Sequence, residues 1–271
     1  MTGGPAAERP GRQRRGSRDQ DLRDGASRQS ACHGRSPKSG RVYQASASGF
    51  NGRADWSNEL KNILYLHGFA SSPQGRKVTA LRELLAPRGL RVVAPDLNIP
   101  SFERLDFKAM TKLSFWEVKR HLPAVVVGSS LGAMVALAVS RIALRAPLVL
   151  IAPALGFGSR WLEKLPPGDP VRFFHHGAGQ EMAVHRRFFE EMSRVDADRD
   201  PPEVAVVLMM GRRDESVPFE SVAEVWRRWE ASGRLSPGSR FVEISDGDHG
   251  LLAHVDRIAD EVLALSEAPR S

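Results

Sequence analysis

The sequence predicts an α/β fold in which a mainly parallel sheet is covered by helices on both faces. From residue 61 onward, short apolar runs rich in Val, Ile and Leu alternate with longer segments of helical periodicity. The short runs are apolar at successive positions, which is typical of strands buried on both faces of a parallel sheet. Ligands of such sheets bind at the carboxyl ends of the strands, so a site is expected in the loops that follow them.

Six strands and four helices are predicted from this alternation. The composition of the apolar runs predicts strands at residues 61–66, 90–94, 124–127, 148–151, 204–208 and 241–244. Apolar residues that recur every three or four positions predict helices at residues 77–86, 131–144, 221–229 and 251–265. Together these elements predict one folded domain over residues 58–271.

Residues 155–200 interrupt the alternation of strands and helices. They contain Pro166-Pro167, the aromatic pairs Phe173-Phe174 and Phe188-Phe189, and a charged, helix-like stretch at residues 181–194. We expect this section to form a small cap insertion in the domain.

The first 57 residues are predicted to be a disordered basic tail. They lack hydrophobic periodicity and are rich in Gly, Arg and Ser, a composition that buries too little surface to offset chain entropy. Residues 1–60 carry eleven Lys or Arg and six Asp or Glu, so most of the formal charge of +7 lies there. The folded part is close to neutral, and no nucleic-acid binding is expected of it.

Composition also predicts where the protein works. No apolar stretch approaches the roughly 18 to 20 residues needed to span a bilayer, so no membrane partner is expected. The single cysteine, Cys32, excludes an intramolecular disulfide, and a reducing cytoplasm is the expected location. Nothing in the sequence indicates the oligomeric state.

The strongest chemical signal is a G-x-S-x-G motif at residues 128–132, between a β-branched strand and an apolar helical run. This pentapeptide also occurs by chance in turns without chemistry, but a sharp strand-to-helix turn exposes the central serine at the end of the strand. The helix N-terminus also favours developing negative charge. Ser130 is therefore the candidate nucleophile, and Ser129, which occupies the variable position, is the competing serine.

A serine hydroxyl needs a base that is oriented by a third group, and both are predicted on later loops. Asp214 follows the strand at 204–208, and His249 follows the strand at 241–244, just before the last helix. The order Ser, acid, His is the order expected for this arrangement of strands. Alternatives stay open for both roles, namely Glu215, Asp246 and Asp248 as carboxylates and His67, His175, His176, His185 and His254 as histidines.

The chain is also predicted to supply two backbone amides to an oxyanion. The amide of Leu131 is one donor by its place in the motif. The amide of Phe69 is the second, because the segment His67-Gly68-Phe69 follows the first strand. His67 itself is expected to fix this loop by hydrogen bonding.

From residue 62 to residue 265 the chain resembles the α/β hydrolases, and within them the small YqiA-type bacterial esterases. The matching segments are residues 64–73, 94–97, 128–132, 211–214, 217–218 and 248–249, which read LYLHGFASSP, APDL, GSSLG, GRRD, VP and DH. The resemblance implies an esterase or thioesterase that acts on small acyl esters or thioesters with short acyl chains. It implies no metal and no organic cofactor.

Other classes of function have weaker support. A catalytically silent α/β-hydrolase scaffold that acts as a binding protein is the main alternative, and it would be expected to lack one of the three catalytic candidates. Haloalkane dehalogenation would favour an Asp nucleophile where this chain has Ser130. The histidines of residues 155–200 lack the spacing of a zinc motif such as H-E-x-x-H, and no phosphate-binding glycine motif follows a strand.

Overall fold

The computed structural model describes residues 60–143, 145–155 and 162–268. The predicted tail at residues 1–57 and the predicted helix end at residue 144 lie outside the described residues. Eight strands are described, namely β1 (Lys61–Leu66), β2 (Leu90–Val93), β3 (Val125–Ser129), β4 (Leu148–Ile151), β5 (Val171–His175), β6 (Gln180–Val184), β7 (Val206–Gly211) and β8 (Arg240–Ile244).

Six of these strands form one sheet in the order β2-β1-β3-β4-β7-β8, and every pair in it is parallel. The central strand β3 is buried at all five positions, as expected for a strand made only of apolar and small residues. The predicted fold class, a mainly parallel sheet covered by helices, is confirmed. All six parallel strands therefore end at the same edge of the sheet, where the loops with the candidate residues begin.

Helices cover both faces of the sheet. They are α1 (Arg76–Leu85), α2 (Phe107–His121), α3 (Leu131–Ala143), α4 (Arg186–Met192), α5 (Phe219–Ala231) and α6 (Val255–Glu267). Alternate residues of β3 face different cores: Val126 packs with α2, α3 and α5, while Val125 and Val127 pack with α1 and α6. No helix in the described part of the chain is long and apolar enough to cross a membrane.

Helix α2 was not among the predicted elements. Asp106 caps it, since the Asp106 side chain accepts a hydrogen bond from the amide of Ala109 at 3.0 Å. Its buried residues, Met110, Ser114 and Val118, lie four positions apart and form a narrow stripe that includes a polar residue. Such a stripe gives a weak periodic signal, which explains why the helix escapes the pattern analysis.

The described part of residues 155–200 contains a hairpin followed by a short helix. Strands β5 and β6 pair antiparallel and are joined by a tight turn in which Gly179 has a positive φ of 68°. The prediction of a helix-like stretch from residue 181 is wrong for residues 181–184, which pair as β6, and α4 begins only at Arg186. Pairing with β5 overrides the local helical preference of the charged residues.

Candidate active site

Ser130 lies at the sharp turn between β3 and α3. Its φ of 53° is in the left-handed region, which is uncommon for a residue other than glycine. The turn is held by a hydrogen bond from the Ser130 amide to the carbonyl of Ile151 at 2.9 Å. Position 132 of the motif requires glycine, because a Cβ there would lie 2.1 Å from the carbonyl oxygen of Leu66. The sequence motif is therefore explained by the close packing of α3 on the end of β1.

The structure brings Ser130, His249 and Asp214 together. The distance from Ser130 Oγ to His249 Nε2 is 3.1 Å, and that from His249 Nδ1 to Asp214 Oδ2 is 2.8 Å. When Nδ1 donates its proton to the carboxylate, Nε2 is free to accept the proton of the serine hydroxyl. The arrangement can therefore move a proton from Ser130 to the imidazole.

Asp214 is held in place by the loop after β7. Its side chain is fully buried, with an exposed fraction of 0%, and its Oδ1 accepts hydrogen bonds from the amides of Ser216 (2.9 Å) and Val217 (2.8 Å). These bonds occupy one carboxylate oxygen and leave Oδ2 for His249. A buried, fully hydrogen-bonded carboxylate keeps a fixed orientation, which in turn fixes the imidazole ring.

The alternative carboxylates and the alternative serine have other contacts. Glu215 accepts a hydrogen bond from the backbone amide of His249 at 3.3 Å, and Asp248 accepts one from the amide of Leu251 at 2.7 Å. Asp246 pairs with the imidazole of His254 at 3.3 Å. Ser129 is only 6% exposed, and its hydroxyl accepts a hydrogen bond from Lys77.

The remaining candidate histidines are also engaged elsewhere. His185 contacts Asp169 at 3.2 Å. His175 Nδ1 accepts a hydrogen bond from the amide of Ala178 at 2.9 Å, and burial lowers the pKa of His175. The imidazole of His176 lies against the ring of Phe174, with the centroids 5.3 Å apart.

His67 lies at the end of β1 and is buried, with an exposed fraction of 2%. Its Nδ1 donates to the carbonyl of Gly68, and its Nε2 accepts from the amide of Leu97, both at 2.9 Å. The first bond is within the loop after β1, and the second joins that loop to the loop after β2. The contacts agree with the expectation that His67 fixes the loop by hydrogen bonding.

The loop after β1 passes directly beside Ser130. A Cβ added at Gly68 would lie 3.2 Å from the Cβ of Ser130, so the predicted donor Phe69 follows a residue in contact with the candidate nucleophile. Leu131, the other predicted donor, is the first residue of α3, and the first amides of a helix have no acceptor within the helix. The two residues with the predicted donor amides, Phe69 and Leu131, thus both lie close to Ser130 in the structure.

Four aromatic rings surround the ring of Phe69 in the loop after β1, and we call these five rings the aromatic cluster. The ring of Phe69 lies 5.0 Å from Phe173, 5.4 Å from Phe102, 5.8 Å from Phe189 and 6.3 Å from Phe188, centroid to centroid. Phe173 comes from β5, and Phe188 and Phe189 come from α4. The section predicted as a cap insertion therefore packs on the segment that carries a predicted oxyanion donor.

A cavity of about 410 Å³ opens at the carboxyl edge of the sheet, between the loops after β1 and β2 and the turn of the β5–β6 hairpin. Ser72, Asp96 and Asn98 are among its polar lining residues. Its volume is in the range of cavities that hold small molecules. A larger cavity, of about 540 Å³, lies between residues 196–201 and α5, and neither cavity is lined by Ser130, Asp214 or His249.

One residue near the site was missed by the sequence analysis. Lys77, in the first turn of α1, donates a hydrogen bond from Nζ to Ser129 Oγ at 2.9 Å. Burial lowers the pKa of Lys77 to about 8, and attraction to Asp248 and Asp214 opposes this shift. A lysine near the start of a helix carries no signal by itself, because a solvated lysine is the usual interpretation there. Within the described ranges, no group of three or more His, Cys, Asp or Glu side chains could hold a metal ion.

The parallel sheet and the strand-to-helix turn, with Asp and His on the loops after later strands, define the chain as an α/β hydrolase. Residues 62–251 match the uncharacterised protein family UPF0227, which is the YqiA-type family. The chain therefore belongs to this family. A comparison with curated proteins found no match.

Solved structures with the same fold come from several organisms. A proposed hydrolase from Agrobacterium vitis S4 has a TM-score of 0.63 and 20% identity, over 78% of this chain and 89% of that chain. The alpha/beta hydrolase domain-containing protein 10 from mouse has a TM-score of 0.59 and 20% identity, over 75% and 88%. The esterase domain of a Rhodothermus marinus protein has a TM-score of 0.55 and 21% identity, over 77% and 85%. At these identities the likeness shows the fold.

Proposed function

We propose that this chain is a serine hydrolase that cleaves carboxylic esters or thioesters with short acyl chains through an acyl-enzyme intermediate. The observation that carries the proposal is the position of His249, whose two ring nitrogens lie within hydrogen-bond distance of Ser130 Oγ and Asp214 Oδ2. A hydroxyl, an imidazole and a buried carboxylate in this order are the parts of a nucleophilic acyl-transfer site.

In the proposed acylation step, Ser130 Oγ attacks the acyl carbonyl carbon while its proton moves to His249 Nε2. The resulting oxyanion accepts hydrogen bonds from the amides of Phe69 and Leu131. A single donor of this kind is commonly worth about 10²- to 10³-fold in rate. The tetrahedral intermediate then breaks its bond to the leaving group, and His249 returns the proton to the departing alcohol or thiol.

In the proposed deacylation step, water attacks the acyl-Ser130 ester and His249 accepts a proton from that water. Collapse of the second tetrahedral intermediate releases the carboxylic acid, and the proton returns to Ser130 Oγ. Asp214 holds the imidazole tautomer in both steps and stabilises the imidazolium that forms transiently. The two backbone amides that bind Asp214 Oδ1 support this role, because they hold the carboxylate in one orientation and leave Oδ2 directed at His249.

Two observations support the choice of substrate class. The aromatic cluster packs around Phe69 and fills space beside the predicted oxyanion loop, which favours a short acyl chain over a long one. Structures with the same fold include an esterase domain and a monoacylglycerol lipase, so ester cleavage occurs on this architecture.

We place the reaction in the cytoplasm because the chain has a single cysteine.

The proposal is tested by labelling and turnover. The wild-type protein is treated with a fluorophosphonate and the modified residue is located by mass spectrometry, and kcat/KM is measured for p-nitrophenyl esters from acetate to laurate. We expect the label on Ser130, the highest kcat/KM for the shortest esters, and loss of both label and turnover in Ser130→Ala. Ser140→Ala is the matched control, because the Ser140 hydroxyl bonds only to the preceding turn of α3 in the contacts described.

Each contrary outcome has a definite meaning. Turnover by Ser130→Ala at the wild-type rate would show that Ser130 is not the nucleophile. A folded wild-type protein that neither reacts with the fluorophosphonate nor hydrolyses any ester of the series would instead support the binding scaffold.

A further inference from the structure

Lys77 places an ammonium group directly behind the strand that carries the candidate nucleophile. Ser129 and Ser130 are successive residues at the end of β3, so their side chains leave the chain on different sides. Ser130 faces His249, whereas Ser129 Oγ accepts the hydrogen bond from Lys77 Nζ at 2.9 Å. The ammonium is thus linked to the nucleophile turn from the face of the sheet that α1 covers.

The charges around this ammonium belong to the two loops that supply the other candidate residues. Its attractive partners are the carboxylates of Asp214 and Asp248. Asp214 contacts His249 directly, and Asp248 precedes His249 in the chain. Tyr65 of β1 is hydrogen-bonded to the same Ser129. Burial raises the pKa of its hydroxyl, so this group stays neutral near neutral pH.

An ammonium in this place is costly to the folded state. Lys77 is partly buried, and desolvation is the main cause of its lowered pKa. Lysines are rarely taken out of water without a partner, and an apolar side chain of similar size would remove this cost. A merely structural role would therefore be met better by methionine than by lysine.

Lys77 does not serve as the base of a second nucleophile. Ser129, the hydroxyl that it contacts, is only 6% exposed and points away from Ser130 into the α1 side of the sheet. A substrate that reaches Ser130 has no access to Ser129. The role of the ammonium must therefore be exerted through the residues that surround it.

We propose that Lys77 is a positioning residue of the hydrolase site, which holds the nucleophile turn through Ser129 and the Asp214 and His249 loops through attraction to Asp214 and Asp248. The inference rests on the proposed function and adds a residue to it. One cation then joins three loops that are far apart in sequence, and its charge is the property that matters.

The charge of Lys77 gives the rate an alkaline limb. The working form is the ammonium, which is present below its pKa of about 8 and loses its proton as pH rises through that value. The attraction to Asp214 and Asp248 is lost with the proton. Activity should therefore decline above about pH 8.

The test compares Lys77→Met, Lys77→Arg and the matched surface control Lys112→Met, which lies on the exposed side of α2. In Lys77→Met we expect kcat to fall roughly 10- to 100-fold, the range for misplaced catalytic groups, with KM nearly unchanged and the alkaline limb absent. Lys77→Arg should recover most of kcat and move the alkaline limb well above pH 8, because guanidinium stays charged. Lys112→Met should behave like the wild type.

Two measurements do not depend on turnover. NMR titration of the Lys77 side chain in Ser130→Ala should give this ammonium a pKa of about 8, well below the ordinary lysine value of about 10.4. The Tm of Lys77→Met at neutral pH should be equal to or higher than that of the wild type, because a lysine whose pKa is lowered on folding destabilises the folded state below that pKa. A purely structural lysine would give a lower Tm.

The outcomes separate this inference from the proposed function. If the wild type hydrolyses esters but Lys77→Met keeps the wild-type kcat and alkaline limb, the positioning role is wrong and the proposed function stands. If Lys77→Met does not fold, an alkaline limb that stays near pH 8 in Lys77→Arg refutes the role equally well. A wild-type protein without labelling or turnover refutes the proposed function, and the positioning role with it.

Discussion

Gly132→Ala tests how closely α3 must pack on the end of β1. The added Cβ would lie 2.1 Å from the carbonyl oxygen of Leu66 and 2.7 Å from that of His67. Real Cβ atoms are essentially never closer than 3.0 Å to such atoms, and both obstacles are backbone. Because a close-packed interior cannot absorb the overlap locally, α3 and β1 must separate by about 1 Å.

This separation has a cost in stability and in rate. Overpacking of a core costs about 1 to 3 kcal/mol, which for a domain of this size lowers the Tm by roughly 2 to 12 °C. Leu66 and His67 lead into the loop of Phe69, so the proposed oxyanion donor moves relative to Ser130. A misplacement of about 1 Å can cost on the order of 10²-fold in rate, and we expect a loss of that size in kcat/KM.

The assay combines p-nitrophenyl acetate hydrolysis with thermal unfolding followed by circular dichroism. Gly250→Ala is the matched control, because its added Cβ would meet its nearest neighbour, Asp248 Oδ1, at an ordinary 3.4 Å. A Gly132→Ala protein with the wild-type Tm and kcat/KM would show that the reasoning about this contact is wrong.

The proposed triad and the aromatic cluster lead to three more expectations. Asp214→Asn should lower kcat by as much as roughly 10⁴-fold in the ester assay with little change in Tm, because the asparagine side chain no longer enforces the imidazole tautomer. A loss of kcat under about tenfold would contradict this role of Asp214. His249→Ala should remove the base and lower kcat/KM at least as far as Asp214→Asn does, whereas near-native kcat/KM would place the base elsewhere. Phe173→Ala removes a ring 5.0 Å from the ring of Phe69. The ratio of kcat/KM for the octanoate ester to kcat/KM for the acetate ester should therefore rise. An unchanged ratio would mean that the aromatic cluster does not limit the length of the acyl chain.

The sheet could be predicted because its strands are buried on both faces. In β3 every side chain is apolar or small, so the signal does not depend on knowing which face meets which helix. The boundaries of the strands are harder to predict than their existence. The strand expected at residues 204–208 is β7, Val206–Gly211. There, the apolar run continues through Met209 and Met210, and the end of the strand is set by pairing with β4 and β8.

The elements that escaped prediction depend on tertiary contacts. Residues 181–184 carry charged and small side chains that suit a helix, and only pairing with β5 makes them a strand. The buried stripe of α2 includes Ser114, so its periodicity is weak. In both cases the partner surface, which the local sequence does not reveal, determines the structure.

The candidate site shows the same division. Ser130, Asp214 and His249 could be proposed from order alone, because parallel strands bring the loops after them to one edge. Lys77 could not, since its contact with Ser129 spans 52 positions in sequence and its electrostatic partners lie on two further loops. Its environment is formed by four segments that are separate in the sequence.

The hydrogen bond from the His176 amide to the Ala70 carbonyl, at 2.8 Å, ties the tip of the β5–β6 hairpin to the residue after Phe69. Ala70 has a positive φ of 53°, so this bond holds a stretch of backbone that would relax if released. A molecule that displaces the hairpin would therefore also displace the stretch of chain that carries the Phe69 amide. A hairpin of another length or shape should for the same reason change the position of the proposed oxyanion donor relative to Ser130.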